Sequence, residues 1–309
     1  MGTIVQLKVY GGNAEKATEK ALNRVSDIED KMSVNIETSE ITKLNAKAGI
    51  SGEKLSADTY SVIEEAVKYG KLTGGDLDVT IGPIVKLWGI GTDKERVPAK
   101  NEIDEKVKLV DYNDIILDEK NSTIKLRRAN QAIDLGAIAK GYTADEIKKV
   151  LIDNKISSAL INLGGNVYAV GSKPDGTSWN IGIQNPLDTR GQYLGTVSFT
   201  DKSVVTSGNY ERYFIKDGVR YHHIFDPKTG YPADKGIIST TIVSDKSIDG
   251  DALSTSTYVM GLEKGIKLIE SIKGVDAIFI TSDKKIYVTS GLKDSFNLTN
   301  KEFIYEKGR

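Results

Sequence analysis

The 309-residue chain has no cysteine. That absence rules out disulfides, thiolate nucleophiles and Cys-ligated zinc or iron–sulfur sites, while leaving the redox compartment open. Histidine is nearly absent too, with only His222 and His223 present. Successive residues of a strand face opposite sides of a sheet, so at most one of this pair points into a given pocket, and a His-rich metal site is excluded. No run approaches the ~18 apolar residues of a membrane span and no charged-then-apolar signal segment opens the chain, so these residues are expected to be soluble. Neither sign of charge is in excess: the formal net charge is −1 and the pI is near 6.2. Without a global positive field, no nucleic-acid partner is expected. Linker-like Pro/Gly/Ser stretches, low-complexity tracts and short repeats are also missing, which predicts one compact body over residues 1–309.

What is present is ordinary globular composition, 39% hydrophobic and 28% charged. IVQLKVY alternates as a half-buried strand does, and starts so soon after Met1-Gly2-Thr3 that upstream residues are expected to have been removed. Gly11-Gly12-Asn13 breaks it. A helix should follow, with Asn13 as N-cap and apolar positions Ala14, Ala17, Ala21, Val25, Ile28 and Met32 at steps of three and four. Asp58 is expected to cap a second helix carrying Val62, Ile63, Ala66 and Val67. Short β runs are read at NDIIL, STIKL, SALINL, WNIGIQ, GTVSF and RYFIK, with Asp217-Gly218 the clearest hairpin signal. Helices are predicted at 138–152, 251–260 and 263–273, and DAIFI with KKIYV forms a closing hairpin. Strands connect mostly to strands, which favours an α+β fold of mixed, mostly antiparallel sheets with packed helices.

Five segments could carry chemistry. In DGDALSTSTYVMG, Asp251 and Thr255 stand four apart, on one face at the start of a helix. Carboxylate and hydroxyl are hard ligands suited to Mg²⁺, although N-capping by Asp251 alone is the plainer explanation. In IDLGAIAKGYTAD, Asp134 ends a strand, Gly136 and Ala137 turn, and Lys140 stands at a helix mouth where amides could approach a phosphate; an ordinary strand-to-helix turn reads the same way. INLGGNVYAVG and TSGNYERYF combine Gly164-Gly165 with Thr206-Ser207-Gly208 as ligand-approach turns or as turns only. RYHHIFDPKTGYP puts a His at a strand end, a natural place for a general base or for a core-edge His. TGGDLDVTIGPIVKLWGIG sets Asp76 and Asp78 before Pro83 and Trp88, either as solvated turn acids or as groups that hold the edge of a heterocycle.

Taken together and in order, MGT, MSVNIETSEITKLN, GGDLDVTIGPIVKLWGIG, IDLGAIAKGYTADEI, INLGGNVYAVG, VVTSGNY, HHIFDPKTGYP and DALSTSTYVMG closely resemble the ApbE family, the FAD:protein FMN transferases. The resemblance implies an α+β body of two T-fold-like halves with FAD between them. It further implies Mg²⁺ held by the carbonyl of Ala137 and by Asp251 and Thr255. Flavin-binding positions correspond to Met1, Asp76, Leu77, Asp78, Asp134, Lys140 and Ile224, and His223 corresponds to the base for the acceptor hydroxyl. Asn35 stands where many members have a Tyr over the flavin.

The implied reaction is in-line attack on the FMN phosphorus of FAD by a Thr or Ser hydroxyl of an acceptor FMN-binding domain of a membrane redox protein, releasing AMP. Asn35 motivates an alternative, an FAD diphosphatase in which water is the acceptor. A non-catalytic FAD-binding protein is the second alternative, and the metal positions argue against it. The resemblance also implies an extracytoplasmic location with a membrane anchor upstream. Asp251→Ala is expected to abolish turnover with the fold intact.

Overall fold

The computed structural model describes residues 2–306. In chain order, β1 (Val5–Tyr10) leads into α1 (Ala14–Met32), followed by α2 (Glu40–Ala46), β2 (Glu53–Lys54), α3 (Ala57–Leu72), α4 (Gly82–Trp88) and α5 (Lys100–Val107). Next come β3 (Ile115–Asp118), β4 (Thr123–Leu126), α6 (Ala139–Asp153), β5 (Ser158–Leu163), β6 (Asn166–Val170), β7 (Trp179–Gln184), β8 (Tyr193–Phe199) and β9 (Lys202–Gly208). The chain continues through β10 (Tyr213–Lys216), β11 (Val219–His222), β12 (Ile237–Ser244), α7 (Ser247–Met260), α8 (Leu262–Glu270), β13 (Asp276–Thr281), β14 (Lys285–Val288), β15 (Phe296–Leu298) and β16 (Ile304–Tyr305). Every strand pair is antiparallel except β14 with β16, as expected for an α+β fold in which hairpins join neighbours. Among the described residues no helix is long and apolar enough to cross a membrane.

The chain divides into two compact units. One comprises Ser26–Ala139 and Glu211–Asp234; the other comprises Gly2–Val25, Lys140–Tyr210 and the chain from Lys235 onward. The second is built on an eight-stranded sheet ordered β1-β5-β6-β9-β12-β13-β14-β16. Its core lies where Trp179, Ile181, Ile183, Leu194 and Val197 of β7 and β8 meet Val204, Val243, Ile278, Ile280 and Ile286 of the large sheet. Helix α7 packs on β9 and β12. Strand β12 is covered on both faces and every one of its eight residues is buried. That double burial removes the period-two signal a half-exposed strand shows, and its IISTTIVS sequence is not among the expected β runs.

The first unit has a three-stranded sheet, β2-β4-β3, and the β10-β11 ribbon. Its apolar centre gathers Ile84, Trp88, Ile103 and Phe225. The β10-β11 turn has Asp217 at φ +53° and Gly218 at φ +77°, the two positive values that a tight hairpin turn requires. Along α1 the expected stripe is buried at Ala17, Ala21, Val25, Ile28 and Met32, and half-buried at Ala14. The cap of α3 differs from expectation. Ser56 has extended backbone and its hydroxyl accepts from the Thr59 N–H, while Asp58 lies in the first turn and pairs with Lys31 at 2.9 Å. Both residue types cap well, and the turn start, two residues earlier, decides between them.

Candidate active site

In the second unit, α7 begins four residues before the expected start, so Asp251 is its fifth residue and cannot be its N-cap. That removes the plainer explanation for a carboxylate at this position. Asp251 is 1% exposed. Its Oδ1 accepts from Lys140 Nζ at 2.8 Å and its Oδ2 from the Gly141 N–H at 3.0 Å. One turn on, Thr255 Oγ1 lies 3.2 Å from Ser207 Oγ, which in turn is 2.9 Å from Ser254 Oγ. The structure therefore brings Lys140, Asp251 and Thr255 together, and adds Ser207 and Ser254, which the sequence signalled only as part of a turn-rich stretch and a helix.

Gly141 explains how the helices come close enough. A Cβ there would sit 2.3 Å from the Ser247 carbonyl oxygen and 2.6 Å from Ile248 Cα, both backbone atoms that cannot move aside. Gly141→Ala should therefore lower stability by roughly 1–3 kcal/mol, the usual scale of overpacking, even though Ala gains about 1 kcal/mol in intrinsic helix propensity. A urea titration checks it, and a variant as stable as the parent would refute the close-packing argument.

The first unit carries the other expected residues. Asp134 does not end a strand; it follows a single bridge residue, Ala132, paired with Ile81. Its N–H donates to the Val79 carbonyl at 2.8 Å and its Oδ1 accepts from the Gly136 N–H, shaping the turn at 136–138 that contains Ala137. The Asp134 turn thus runs beside the Asp76-Leu77-Asp78 turn. Asp76 pairs with Lys228 at 2.6 Å. Leu77 is buried and its N–H donates to Thr73 Oγ1. Asp78 braces the turn: Oδ1 accepts from the Thr80 N–H and hydroxyl, and Oδ2 from the Tyr112 N–H. Burial raises its pKa above the ordinary carboxylate value and these hydrogen bonds pull it back.

The HHIFDPKTGYP loop is pinned by Trp88, whose Nε1–H donates to the Gly230 carbonyl at 2.8 Å and whose ring meets those of Tyr221, Phe225 and Tyr231. The two histidines separate because His222 ends β11 and His223 lies in the bend just after it. His222 is buried, with Nε2 3.1 Å from the Ala233 carbonyl and Nδ1 accepting from the Ile224 N–H. Ile224 is itself buried, whereas His223 is half-buried, with Nδ1 3.2 Å from the Arg212 carbonyl. Asn35 is exposed in the loop after α1. Met1 lies outside the described residues.

The half-buried Asp145 and the buried His222 titrate in opposite senses. Burial raises Asp145 from 3.8 to about 6, and burial lowers His222 from 6.5 to about 4. A raised Asp binds its proton more tightly when folded, so its contribution is full below pH ~4 and is lost as pH rises through 6. A lowered His does the reverse: its contribution is full above pH ~6.5 and is lost as pH falls towards 4. Each slope amounts to about 3 kcal/mol at most, at ~1.4 kcal/mol per tenfold change in proton affinity. Relative to the parent, Asp145→Asn should gain stability between pH 4 and 6.5 and His222→Gln should lose it. Denaturation midpoints across that window check both signs; parallel profiles would contradict them.

Among the described residues no three His, Cys, Asp or Glu side chains gather as a metal cluster. A cation would instead take one carboxylate with neutral oxygens, and Asp251 and Thr255 fit that pattern. They offer hard oxygen donors one turn apart on one helix, the set Mg²⁺ accepts while keeping water or phosphate in its remaining positions.

An α+β body with a carboxylate, hydroxyls and an ammonium converging on two helices is suited to a phosphorylated substrate. The chain matches the ApbE family over residues 1–279 and belongs to it. It is 36% identical to the FAD:protein FMN transferase of Treponema pallidum over an alignment 324 positions long, spanning 99% of this chain and 90% of that protein. It is likewise 36% identical to that of Klebsiella pneumoniae over 290 residues, 94% of this chain and 90% of the relative. Among solved structures, the ApbE protein of Thermotoga maritima superposes with a TM-score of 0.88 at 33% identity, covering 94% and 95% of the two chains. The flavin transferase ApbE from Vibrio cholerae gives 0.85 at 28% identity, covering 96% of each.

Proposed function

We propose that this chain is an FAD:protein FMN transferase that uses Mg²⁺. The observation that carries the proposal is the α6–α7 cluster, where Lys140, the Gly141 amide, Asp251 and Thr255 converge in a chain similar over nearly its full length to such transferases. Asp251, Thr255 and the carbonyl of Ala137 are the proposed metal ligands. When bound there, the cation supplies charge neutralisation at the pyrophosphate.

The chain's own groups do the rest. Lys140 adds positive charge beside the phosphates, and the α6 N-terminus presents backbone amides to them. Asp76, Leu77, Asp78, Asp134, Ile224 and Met1 are the proposed flavin contacts. The acceptor's Ser or Thr oxygen forms a bond to the FMN phosphorus, the bond from that phosphorus to AMP oxygen breaks, and the hydroxyl proton passes to His223 Nε2. The products are a phosphoester-linked FMN and AMP. The acceptor is the FMN-binding domain of a membrane redox protein, and the enzyme works outside the cytoplasm at the membrane.

Asn35 supports a second reading. An exposed amide in place of a covering ring lets water compete as acceptor, giving FMN and AMP by hydrolysis. Incubation with FAD and Mg²⁺, with and without an acceptor domain, separates the two. Flavin fluorescence that stays on a denatured acceptor establishes transfer; AMP release at the same rate without acceptor establishes hydrolysis.

A further inference from the structure

Helix α7 begins without a cap of its own. Its N-cap position is Lys246, whose side chain makes no capping bond, so the first-turn N–H groups need partners from elsewhere. They find them on α6. Asp145 Oδ1 accepts from the Ser247 N–H at 2.7 Å and Oδ2 from the Ile248 N–H at 2.9 Å. Ser247 Oγ also donates to Asn166 Oδ1 at 2.7 Å, which ties the same turn to β6.

We infer that Asp145 is a positioning residue for the reaction: a cap supplied across helices, which sets α7 against α6 so that Asp251 and Thr255 present their oxygens correctly. The inference rests on the reading of Asp251 and Thr255 as metal ligands. Its geometric basis is that residues of one α6 face, Lys140, Gly141 and Asp145, hold α7 at two levels. The carboxylate grips the first turn, and the ammonium and amide grip Asp251 one turn later. Gly141, four residues before Asp145, permits backbone contact between the helices. A negative charge at a helix N-terminus also favours the helix dipole, so the cap acts electrostatically as well as through hydrogen bonds.

The surroundings keep this carboxylate close to its titration point. Burial raises its pKa most, the two backbone N–H groups lower it, Asp249 on α7 raises it and Lys148 on α6 lowers it. Lys149, Tyr168, Asp245 and Lys246 line the surface groove beside it. Below about pH 6 the acid is protonated and one oxygen turns from acceptor to donor, so one of the two N–H bonds weakens locally even as relief of the desolvated charge stabilises the fold as a whole, which gives the intact protein its own test.

Asp145→Asn keeps the size of the side chain but turns the amide NH2, itself a donor, towards one of the two N–H groups. Amide exchange at Ser247 and Ile248 should accelerate, and the Mg²⁺ concentration for half-maximal AMP release should rise several-fold, up to the roughly 10-fold that losing a direct partner of a metal ligand costs. Turnover at saturating Mg²⁺ should stay within about twofold of the parent, a split that general loosening of the fold would not give. Should the variant not fold, the Ser247 and Ile248 amide shifts of the parent should titrate together near pH 6. The inference is overturned by unchanged exchange at these amides, by a Mg²⁺ midpoint within about twofold of the parent, or by the lack of that titration. Asp251→Asn run alongside separates the readings. A normal Mg²⁺ midpoint in that variant brings down the metal assignment itself, whereas a lost Mg²⁺ response there with a normal midpoint in Asp145→Asn refutes only the positioning role.

Discussion

Asp251→Asn should reduce AMP release from FAD by roughly a hundredfold or more, the scale of removing one preorganised electrostatic group from a site, while the protein stays folded. The amide retains an oxygen for the Gly141 N–H and fills the same volume, but it carries no charge for Lys140 or for a cation. Asp251→Ala should lose the same activity and also stability. Removing the carboxylate leaves a buried N–H of Gly141 unpaired and Lys140 without its 2.8 Å partner. An unsatisfied buried donor costs about 1–3 kcal/mol, so the sequence-level expectation of an intact fold transfers to Asn and not to Ala. Mg²⁺-dependent AMP release and urea midpoints of the two variants check this. An Asn variant turning over FAD at near the parent rate would remove Asp251 from the chemistry.

How much of this was readable beforehand depends on whether the deciding partner is near in sequence. The i, i+4 relation of Asp251 and Thr255 is local, and the structure places both on α7 as that spacing requires. The start of α7 is not local. Two of its first-turn donors, the Ser247 and Ile248 N–H groups, are satisfied by Asp145, which lies 102 residues before Ser247, so no capping residue marks the boundary in the sequence, and Asp251 reads as a cap when it is not one. The same logic separates β1 from β12. β1 has one half-buried face and alternates along its length, whereas β12 lies under cover on both sides and uses Ser and Thr within the sheet. Thr206 and Thr241, directly opposite across β9 and β12, satisfy each other at 2.8 Å, which accounts for Thr241 in a buried strand, whereas the buried hydroxyls of Ser239 and Thr240 make no such bond. Short helices such as α2, α4 and α5 have too few turns to produce a periodic signal of their own.

The adjacent histidines are the case in which sequence narrows the choice to one of two and the structure makes it. His222 has Nε2 on a carbonyl and Nδ1 accepting an N–H, so both ring nitrogens are committed, and burial holds it neutral down to about pH 4. His223 has the other tautomer. A carbonyl oxygen can only accept, so the 3.2 Å contact with the Arg212 carbonyl makes Nδ1 the protonated nitrogen of the neutral ring and Nε2 its basic one. The His223 N–H donates to the same carbonyl at 3.1 Å, which fixes the residue at the base of the β10-β11 ribbon. His223→Ala should therefore slow FMN transfer by about 10²–10⁴-fold, the range for loss of a general base, with FAD affinity little changed and with partial recovery on adding imidazole. His222→Gln should lower stability above pH 6 and leave the rate at saturating substrate close to the parent's. Single-turnover transfer to an acceptor domain, followed by flavin fluorescence on the denatured acceptor, reads both variants. If His223→Ala transfers at more than about a third of the parent rate, the proton goes elsewhere and the base assignment falls, whatever becomes of the metal site.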